Sequence, residues 1–191
     1  MNSFIRRSWV EIDLSQIKKN YELYKKNIPQ AASVMAVIKA NAYGHGDIEV
    51  ARTLTSVGVN KWAVSNIDEA CKLRQAGITG DILILGYTPI EKISILEEND
   101  ITQAILSEEY ADLLLRHHCK AKCQFALDTG MNRIGLDADD PQKCIETISF
   151  YFKNLKIDGL FTHLCVADSD ESVANEFTQK QINKFETVVN G

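Results

Sequence analysis

The chain has 191 residues, enough to bury a hydrophobic core without disulfide bonds. Its 45% hydrophobic and 25% charged residues exclude general disorder, and three prolines with ten glycines exclude collagen-like and low-complexity classes. The formal net charge of −5, from 21 basic and 26 acidic side chains, argues against a nucleic-acid-binding protein, because such proteins are usually basic.

The sequence gives no export or membrane-spanning signal. Arg6 and Arg7 are not followed by an apolar segment, and no apolar run approaches the roughly 20 residues that a spanning helix requires. The five cysteines are odd in number and scattered, which predicts reduced thiols rather than a disulfide framework. We therefore expect a cytoplasmic protein with no membrane partner.

One cluster of residue types that bind metals occurs, and it comprises His117, His118, Cys119 and Cys123. Structural zinc sites usually place short-spaced ligand pairs on two arms, and this sequence has no second arm. We expect a polar helix end followed by small buried thiols, and no metal site.

Strand-like and helix-like patterns alternate along the chain. The first is a short strand at Trp9–Ile12, followed by a helix with a predicted N-cap at Ser15. From Val34 onward, apolar runs predict six strands, at 34–38, 62–64, 81–85, 101–106, 123–127 and 155–161. Helical patterns follow them, at 48–57, 68–75, 90–97, 107–118, 141–150 and 173–189. This alternation indicates a parallel α/β sheet with crossover helices.

Repeated strand–helix units are typical of a (β/α)8 barrel, a fold that usually needs about 250 residues. The six units and 191 residues of this chain are fewer than that fold usually has. In parallel α/β folds, chemistry takes place beyond the C-terminal ends of the strands. The residues that follow each apolar run are therefore the candidates for function.

Lys39 follows the first of these six strands, within the segment AVIKANAYGHG at 36–46. Partial burial favours the neutral form of a lysine amine, which is a nucleophile and can form a Schiff base. From position alone, a lysine that extends to solvent at a strand end is the more ordinary interpretation. Gly44 and Gly46, which allow close approach of a ligand to the backbone, together with nearby Tyr43, favour a binding site.

This segment closely resembles the cofactor-lysine motif of bacterial alanine racemases, which are pyridoxal-phosphate enzymes of fold type III. Further motifs resemble the same family in its own order: WVEID at 9–13, WAVS at 62–65, ILILG at 82–86, DTGMNRIG at 128–135 and GLFTH at 159–163. Such a set is far more specific than a lysine loop by itself. The resemblance implies a racemase that interconverts L- and D-alanine and supplies D-alanine for the cell wall.

The resemblance also implies roles at the cofactor. Lys39 would hold pyridoxal 5'-phosphate as an internal aldimine and act as one of two bases that move the α-proton of the amino-acid substrate. Tyr43 would contact the cofactor phosphate, and Val37 and Leu85 would line the pocket of the ring.

Two further residues gain roles from the resemblance. Arg133 would reach the phenolic oxygen of the cofactor and the carboxylate of the substrate, which suits a planar cationic group. His163 would lie beneath the ring and orient an arginine that bonds the pyridine nitrogen. By themselves, these residues would be interpreted as a surface arginine after a loop and a core histidine.

The sequence departs from the family in two places. Ala126 stands where many members have a carbamylated lysine that helps orient the substrate-binding arginine, although serine/alanine racemases of glycopeptide resistance also lack that lysine. The chain also stops before the seventh and eighth strands and the C-terminal β-domain, which would supply the second base, a tyrosine of the partner subunit. The resemblance thus implies an incomplete (β/α)8 TIM barrel of about six of the eight units. It makes 1–13 an N-terminal strand that would pair with the absent β-domain, 14–191 a partial pyridoxal-phosphate-binding barrel, and the full-length protein a homodimer.

We expect the chain alone to racemise alanine weakly or not at all, because one of the two bases is absent. The alternatives are a pyridoxal-phosphate-binding module without racemase activity, a serine racemase, and a chain without a stable fold, since six units leave two open sheet edges. The lysine motif of the cofactor-binding modules does not share Asn41 to Gly46, which favours a racemase.

Overall fold

In the computed structural model, which describes residues 8–191, strands and helices alternate along the chain. The strands of these residues are β1 (Ala36–Val37), β2 (Lys61–Val64), β3 (Asp81–Ile84), β4 (Ile101–Ile105), β5 (Lys122–Asp128), β6 (Leu136–Asp137) and β7 (Lys156–Thr162). The helices are α1 (Leu14–Asn27), α2 (Lys39–Tyr43), α3 (Asp47–Thr55), α4 (Ile67–Gln75), α5 (Ile93–Glu98), α6 (Glu108–Arg116), α7 (Pro141–Phe152) and α8 (Ser172–Asn190), with a 3-10 turn, Ile90–Lys92, before α5.

All pairs in the sheet are parallel, and the strands lie in the order β1-β2-β3-β4-β5, with β7 along the other side of β5. The two-residue strand β6 pairs with the last residues of β5. Parallel strands joined by crossover helices confirm the predicted α/β class and are consistent with a partial TIM barrel.

Alternate residues of each strand face opposite sides of the sheet. Trp62 and Ile82 belong to one set, which is fully buried in the core beneath the helices. Their neighbours Ala63 and Leu83 face the other side, where a cavity opens. Because both faces are covered or enclosed, the strands consist of continuous apolar runs, as the sequence indicates.

The N-terminal prediction is partly wrong. Residues 8–13 do not join the sheet, whereas a strand was expected at Trp9–Ile12; a strand needs a neighbouring strand to complete its hydrogen bonds. The N-cap of α1 is Asp13 rather than Ser15, because the Asp13 carboxylate accepts hydrogen bonds from the Ser15 and Gln16 N–H groups. Residues 1–7 lie outside the described residues, and pairing of 1–13 with a β-domain stays a prediction.

Elsewhere the predicted elements occur with shifted ends. The strand expected at 34–38 is reduced to β1, because the chain turns at Ile38 and enters α2. The helix expected at 90–97 is divided into the 3-10 turn and α5. Ser107 caps α6 as predicted, since its hydroxyl accepts a hydrogen bond from the Tyr110 N–H. The structure adds two elements that the patterns did not predict, α2 and β6.

The cluster of possible metal ligands divides into an exposed and a buried half. His117 and His118 are exposed at the end of α6, while Cys119 and Cys123 are buried. A hydrogen bond with Cys119, together with burial, raises the pKa of the Cys123 thiol. All five cysteines are free thiols, and residues 8–191 contain no group of three side chains suited to hold a metal ion. None of the helices in these residues has the length and apolar character that crossing a bilayer demands.

Candidate active site

A cavity of about 620 Å³ opens at the C-terminal end of the sheet, a size that suits a small organic ligand. Every site residue predicted from the sequence lines this one cavity: Val37, Lys39, Tyr43, Leu85, Arg133 and His163. They come from the ends of different strands, which parallel pairing brings to the same edge of the sheet. The arrangement has the form of a barrel active site, because such sites are built from the segments that follow the strands.

The segment after Lys39 is an unusual turn. Four successive non-glycine residues, Ala40 to Tyr43, have positive φ angles between 51° and 56°, which makes this a left-handed helical turn. Such a conformation is unfavourable for L-residues and persists only when surrounding contacts fix it. One such contact is the hydrogen bond that Asn41 Oδ1 accepts from the Asp47 N–H at 3.2 Å. The turn places the half-buried Lys39 and the exposed Tyr43 in the cavity wall together.

The Glu69 carboxylate connects the Lys39 turn to the neighbouring strand. Its Oε1 accepts a hydrogen bond from the Ala40 N–H at 2.9 Å, while its Oε2 accepts from the N–H and the hydroxyl of Ser65 at 2.8 and 2.7 Å. Hydrogen bonds to an ionised acceptor are stronger than neutral ones. The peptide bond that joins Lys39 to Ala40 is therefore held directly by a charged group from α4.

Arg133 is carried by a loop that forms around the Asp128 carboxylate at the end of β5. Asp128 Oδ1 accepts hydrogen bonds from the Gly130 and Asn132 N–H groups at 2.9 and 3.0 Å, and Oδ2 accepts from the Arg133 N–H at 3.0 Å. Burial would raise the pKa of this carboxyl, but the backbone donors outweigh burial and hold its pKa below the ordinary value of 3.8. The backbone at Arg133 is thus fixed, while its side chain is exposed at the cavity.

The same loop is closed at its far end. Leu127 and Asp128 of β5 pair with Leu136 and Asp137 of β6, and the Ala138 N–H donates to the Asp128 carbonyl at 3.0 Å. Gly135 has a φ of +113°, and a Cβ there would lie 2.8 Å from the Ala126 carbonyl oxygen. Only glycine therefore allows this close return of the chain to β5.

Ala126 and His163 complete the description of the predicted positions. Ala126 is 2% exposed and lines the same cavity as Arg133, so an uncharged methyl group occupies the position of the carbamylated lysine that the resemblance implies. His163 follows β7 and is exposed, which is contrary to its interpretation as a core histidine. Arg133 is exposed, in agreement with its interpretation as a surface arginine of a loop, but it also lines the cavity.

Sequence reasoning assigned no role to two residues that organise the site, Glu69 and Gln181. The only sequence signal at Glu69 is its position, in the first turn of a helix and shortly after the end of a strand. That position alone could have indicated its contact with the neighbouring loop. Gln181 is fully buried in α8, and no local pattern indicates a buried glutamine among amphipathic helix residues.

Residues 12–191 match the family model described as the N-terminal domain of alanine racemase. The chain belongs to the alanine racemase family. It is 42% identical over 170 residues to alanine racemase 1 of Bacillus subtilis (strain 168), an alignment that covers 88% of this chain and 44% of that protein. It is 38% identical over 183 residues to an amino-acid racemase of Enterococcus faecalis, which covers 96% of this chain and 26% of the relative.

A solved structure of this family has the same fold. The alanine racemase of Clostridium difficile 630, in complex with cycloserine, superposes with a TM-score of 0.88 at 33% identity, and the match covers 98% of this chain and 52% of that one. The likeness confirms the predicted partial TIM barrel. This member of the alanine racemase family thus spans about half the length, or less, of the relatives that it matches.

Proposed function

We propose that the chain is the barrel portion of a pyridoxal-phosphate-dependent racemase that interconverts L- and D-alanine. The observation that carries the proposal is the placement of Lys39, Arg133 and His163 around one cavity at the C-terminal end of the strands. Membership of the alanine racemase family supports the reaction class. The alternative with the same residues is a module that binds the cofactor without racemising an amino acid.

The side chains around the cavity suit pyridoxal phosphate. A primary amine from Lys39 can bond covalently to an aldehyde, and the hydroxyl of Tyr43 can donate to a phosphate oxygen. Val37 and Leu85 provide apolar walls for an aromatic ring. When bound, the cofactor delocalises the electron pair left on the α-carbon after a proton is removed.

Lys39 and Arg133 divide the work on the substrate. We assign two roles to Lys39 Nζ: it would hold the cofactor covalently, and it would move the α-proton at one face of the substrate. The planar guanidinium of Arg133 binds the substrate carboxylate through paired hydrogen bonds, which orients the α-carbon toward Lys39. The fixed backbone of the Asp128 loop limits the freedom that Arg133 would lose on binding.

Racemisation needs proton removal at one face and return at the other, so one lysine is not sufficient. We propose that the second base belongs to a partner subunit and that the full-length protein is a homodimer with shared active sites. The chain alone then racemises alanine weakly or not at all. The free thiols support a reducing compartment, and we propose a cytoplasmic location.

Alanine is the proposed substrate, with serine as the alternative. The relatives include a protein named alanine racemase 1 and another named, more broadly, amino-acid racemase. Ala126 favours neither substrate. Its methyl group cannot help to orient Arg133, and Arg133 is proposed to bind the carboxylate, which alanine and serine share. The relative rates for the two amino acids in the full-length protein distinguish them.

Covalent attachment at Lys39 is tested by adding pyridoxal phosphate, reducing with borohydride and mapping the added mass by peptide mass spectrometry. We expect the mass on the peptide that contains Lys39, and none there in Lys39→Ala. Lys156→Ala is the matched control, since Lys156 is exposed at the N-terminal end of β7, whereas Lys39 follows the C-terminal end of β1. Labelling spread over exposed lysines, with none concentrated at Lys39, would contradict the proposal. Racemisation of alanine by the full-length protein then separates an enzyme from a binding module.

A further inference from the structure

Gln181 is a fully buried polar residue behind the cavity wall, and it is not among the residues that line the cavity. Its Nε2 donates to Thr129 Oγ1 and to the His163 carbonyl oxygen, both at 3.1 Å. Its Oε1 accepts from the N–H and the thiol of Cys165, at 3.1 and 3.5 Å. One side chain of α8 thus bonds to the segments that follow both β5 and β7.

The partners fix the orientation of the Gln181 amide. The His163 carbonyl can only accept a hydrogen bond and the Cys165 N–H can only donate one, so the amide cannot be reversed. All four hydrogen-bonding positions of the amide are then used, in a place that water does not reach. No other uncharged side chain of this length offers two donors and an acceptor that takes two bonds.

The hydrogen bonds continue from Gln181 into the sheet. Thr162 Oγ1 donates to the Leu127 carbonyl at 2.8 Å and has no second hydrogen to give, so the 2.8 Å contact between the Thr129 and Thr162 hydroxyls has Thr129 as the donor. Thr129 must then accept from Gln181. A single directed chain runs from Gln181 through Thr129 and Thr162 to the backbone of β5.

We propose that Gln181 is a positioning residue that fixes the loops after β5 and β7 relative to each other, and with them Arg133 and His163. The β5 loop carries Arg133, and the β7 loop begins with His163, so an error in their relative position changes the cavity wall. If either loop moves away from Gln181, a hydrogen bond is lost. That loss leaves a buried polar group without a partner, which is costly and therefore opposes the movement. The link to cofactor binding rests on the proposed function, whereas the link between the loops does not.

The test compares Gln181→Met, which keeps the side-chain length but removes all four hydrogen bonds, with the wild-type chain. Gln179→Met is the matched control, because Gln179 lies on the same helix, is exposed, and bonds only within the helix to Asn183. Hydrogen exchange without cofactor is measured by mass spectrometry. We expect roughly tenfold faster exchange in peptides covering 129–135 and 162–166, and unchanged exchange in β2 and β3.

Pyridoxal phosphate serves as the second probe. In Gln181→Met we expect about tenfold weaker binding, with borohydride-trapped mass still on Lys39, and a lower induced visible circular dichroism for each bound cofactor, since an achiral cofactor acquires this signal from a fixed orientation. If Gln181→Met does not fold, Gln181→Glu, which keeps size and an acceptor for Cys165, has the same expected direction.

Two results would overturn the inference: wild-type exchange in both loops of the folded variant, or acceleration spread evenly over β2, β3 and the loops, which indicates a purely structural role. A wild-type chain that takes up no cofactor at Lys39 contradicts the proposed function instead, and the exchange comparison, which needs no cofactor, still decides the role of Gln181.

Discussion

Lys72 donates two hydrogen bonds to the carboxylate of Asp47, with Nζ 2.7 Å from Oδ1 and 2.9 Å from Oδ2. Asp47 is 4% exposed, and its Oδ1 also accepts a hydrogen bond from the Ile48 N–H at 2.8 Å. The pair joins the start of α3 to α4 directly beside the Lys39 turn. A buried carboxylate is tolerated there because Lys72 supplies the opposite charge.

Replacement of Lys72 by methionine leaves the Asp47 carboxylate buried without a counter-charge. We expect a loss of about 2 kcal/mol in the free energy of unfolding, measured by urea denaturation. Lys92→Met removes an ion pair to the exposed Asp68 and should cost less than about 0.5 kcal/mol. Equal losses in the free energy of unfolding for the two variants would show that the buried pair contributes no more to stability than the exposed pair.

Glu69→Gln tests the connection between α4 and the Lys39 turn. The three groups that face the Glu69 carboxylate are all donors, so the amide of glutamine brings a donor against at least one of them. We expect a loss of about 1–2 kcal/mol in stability and faster hydrogen exchange over residues 39–46. Asp68→Asn, one residue earlier and exposed, is the control, and exchange over 39–46 that is the same in both variants would refute the role of Glu69.

Ala40→Gly tests whether the left-handed turn is strained. Ala40 is exposed with a φ of 52°, a region that glycine adopts without steric cost. We expect thermal or urea denaturation to show a gain of about 0.5–1 kcal/mol in stability, since the strain relieved exceeds the entropy that glycine loses. The same substitution at Ala174 in the right-handed α8 should lower stability by a similar amount. Effects of the same sign at both positions would argue against strain at Ala40.

Asp128 predicts a loss of stability in acid. Because its pKa in the folded protein lies below the ordinary value of 3.8, its contribution is fully present above about pH 4 and is lost as the pH falls through the folded pKa. Asp128→Asn should therefore lower stability at neutral pH and flatten the dependence below about pH 4. Urea midpoints measured from about pH 2 to pH 7 give both slopes. Parallel curves for the two proteins would mean that Asp128 does not contribute in this way.

The repeating strand–helix order could be predicted because each element has a local cause. Trp62 to Val64 is an apolar run of strand length, and Ser107 stands before an amphipathic pattern whose first turn it caps. The predicted cavity residues also share one site, since parallel strands place their ends together. These features require only periodicity, capping and the direction of the strands.

The remaining features depend on contacts between distant parts of the chain. The left-handed turn after Lys39 contradicts the preference of its two alanines and of Tyr43, and contacts such as the hydrogen bond to Glu69 hold it. The strand expected at Trp9–Ile12 has suitable residues but joins no ladder within residues 8–191. The importance of Gln181 depends on partners far from it in the chain: Thr129, 52 residues earlier, His163, 18 residues earlier, and Cys165, 16 residues earlier. No short window of sequence contains such information.

The closure of the Arg133 loop onto β5 makes the number of residues in the loop a determinant of the site. Its two ends occupy adjacent ladder positions, at Asp128 and Asp137, and Gly135 returns against the Ala126 carbonyl with no space to spare. We expect an inserted or deleted residue between these ends to disturb either the Asp128–Asp137 pairing or the hydrogen bonds from the loop to the Asp128 carboxylate, and so to displace Arg133. Substitutions in this loop should therefore disturb the site less than a change in the number of its residues. The length of the loop is as much a requirement of the site as the presence of Arg133.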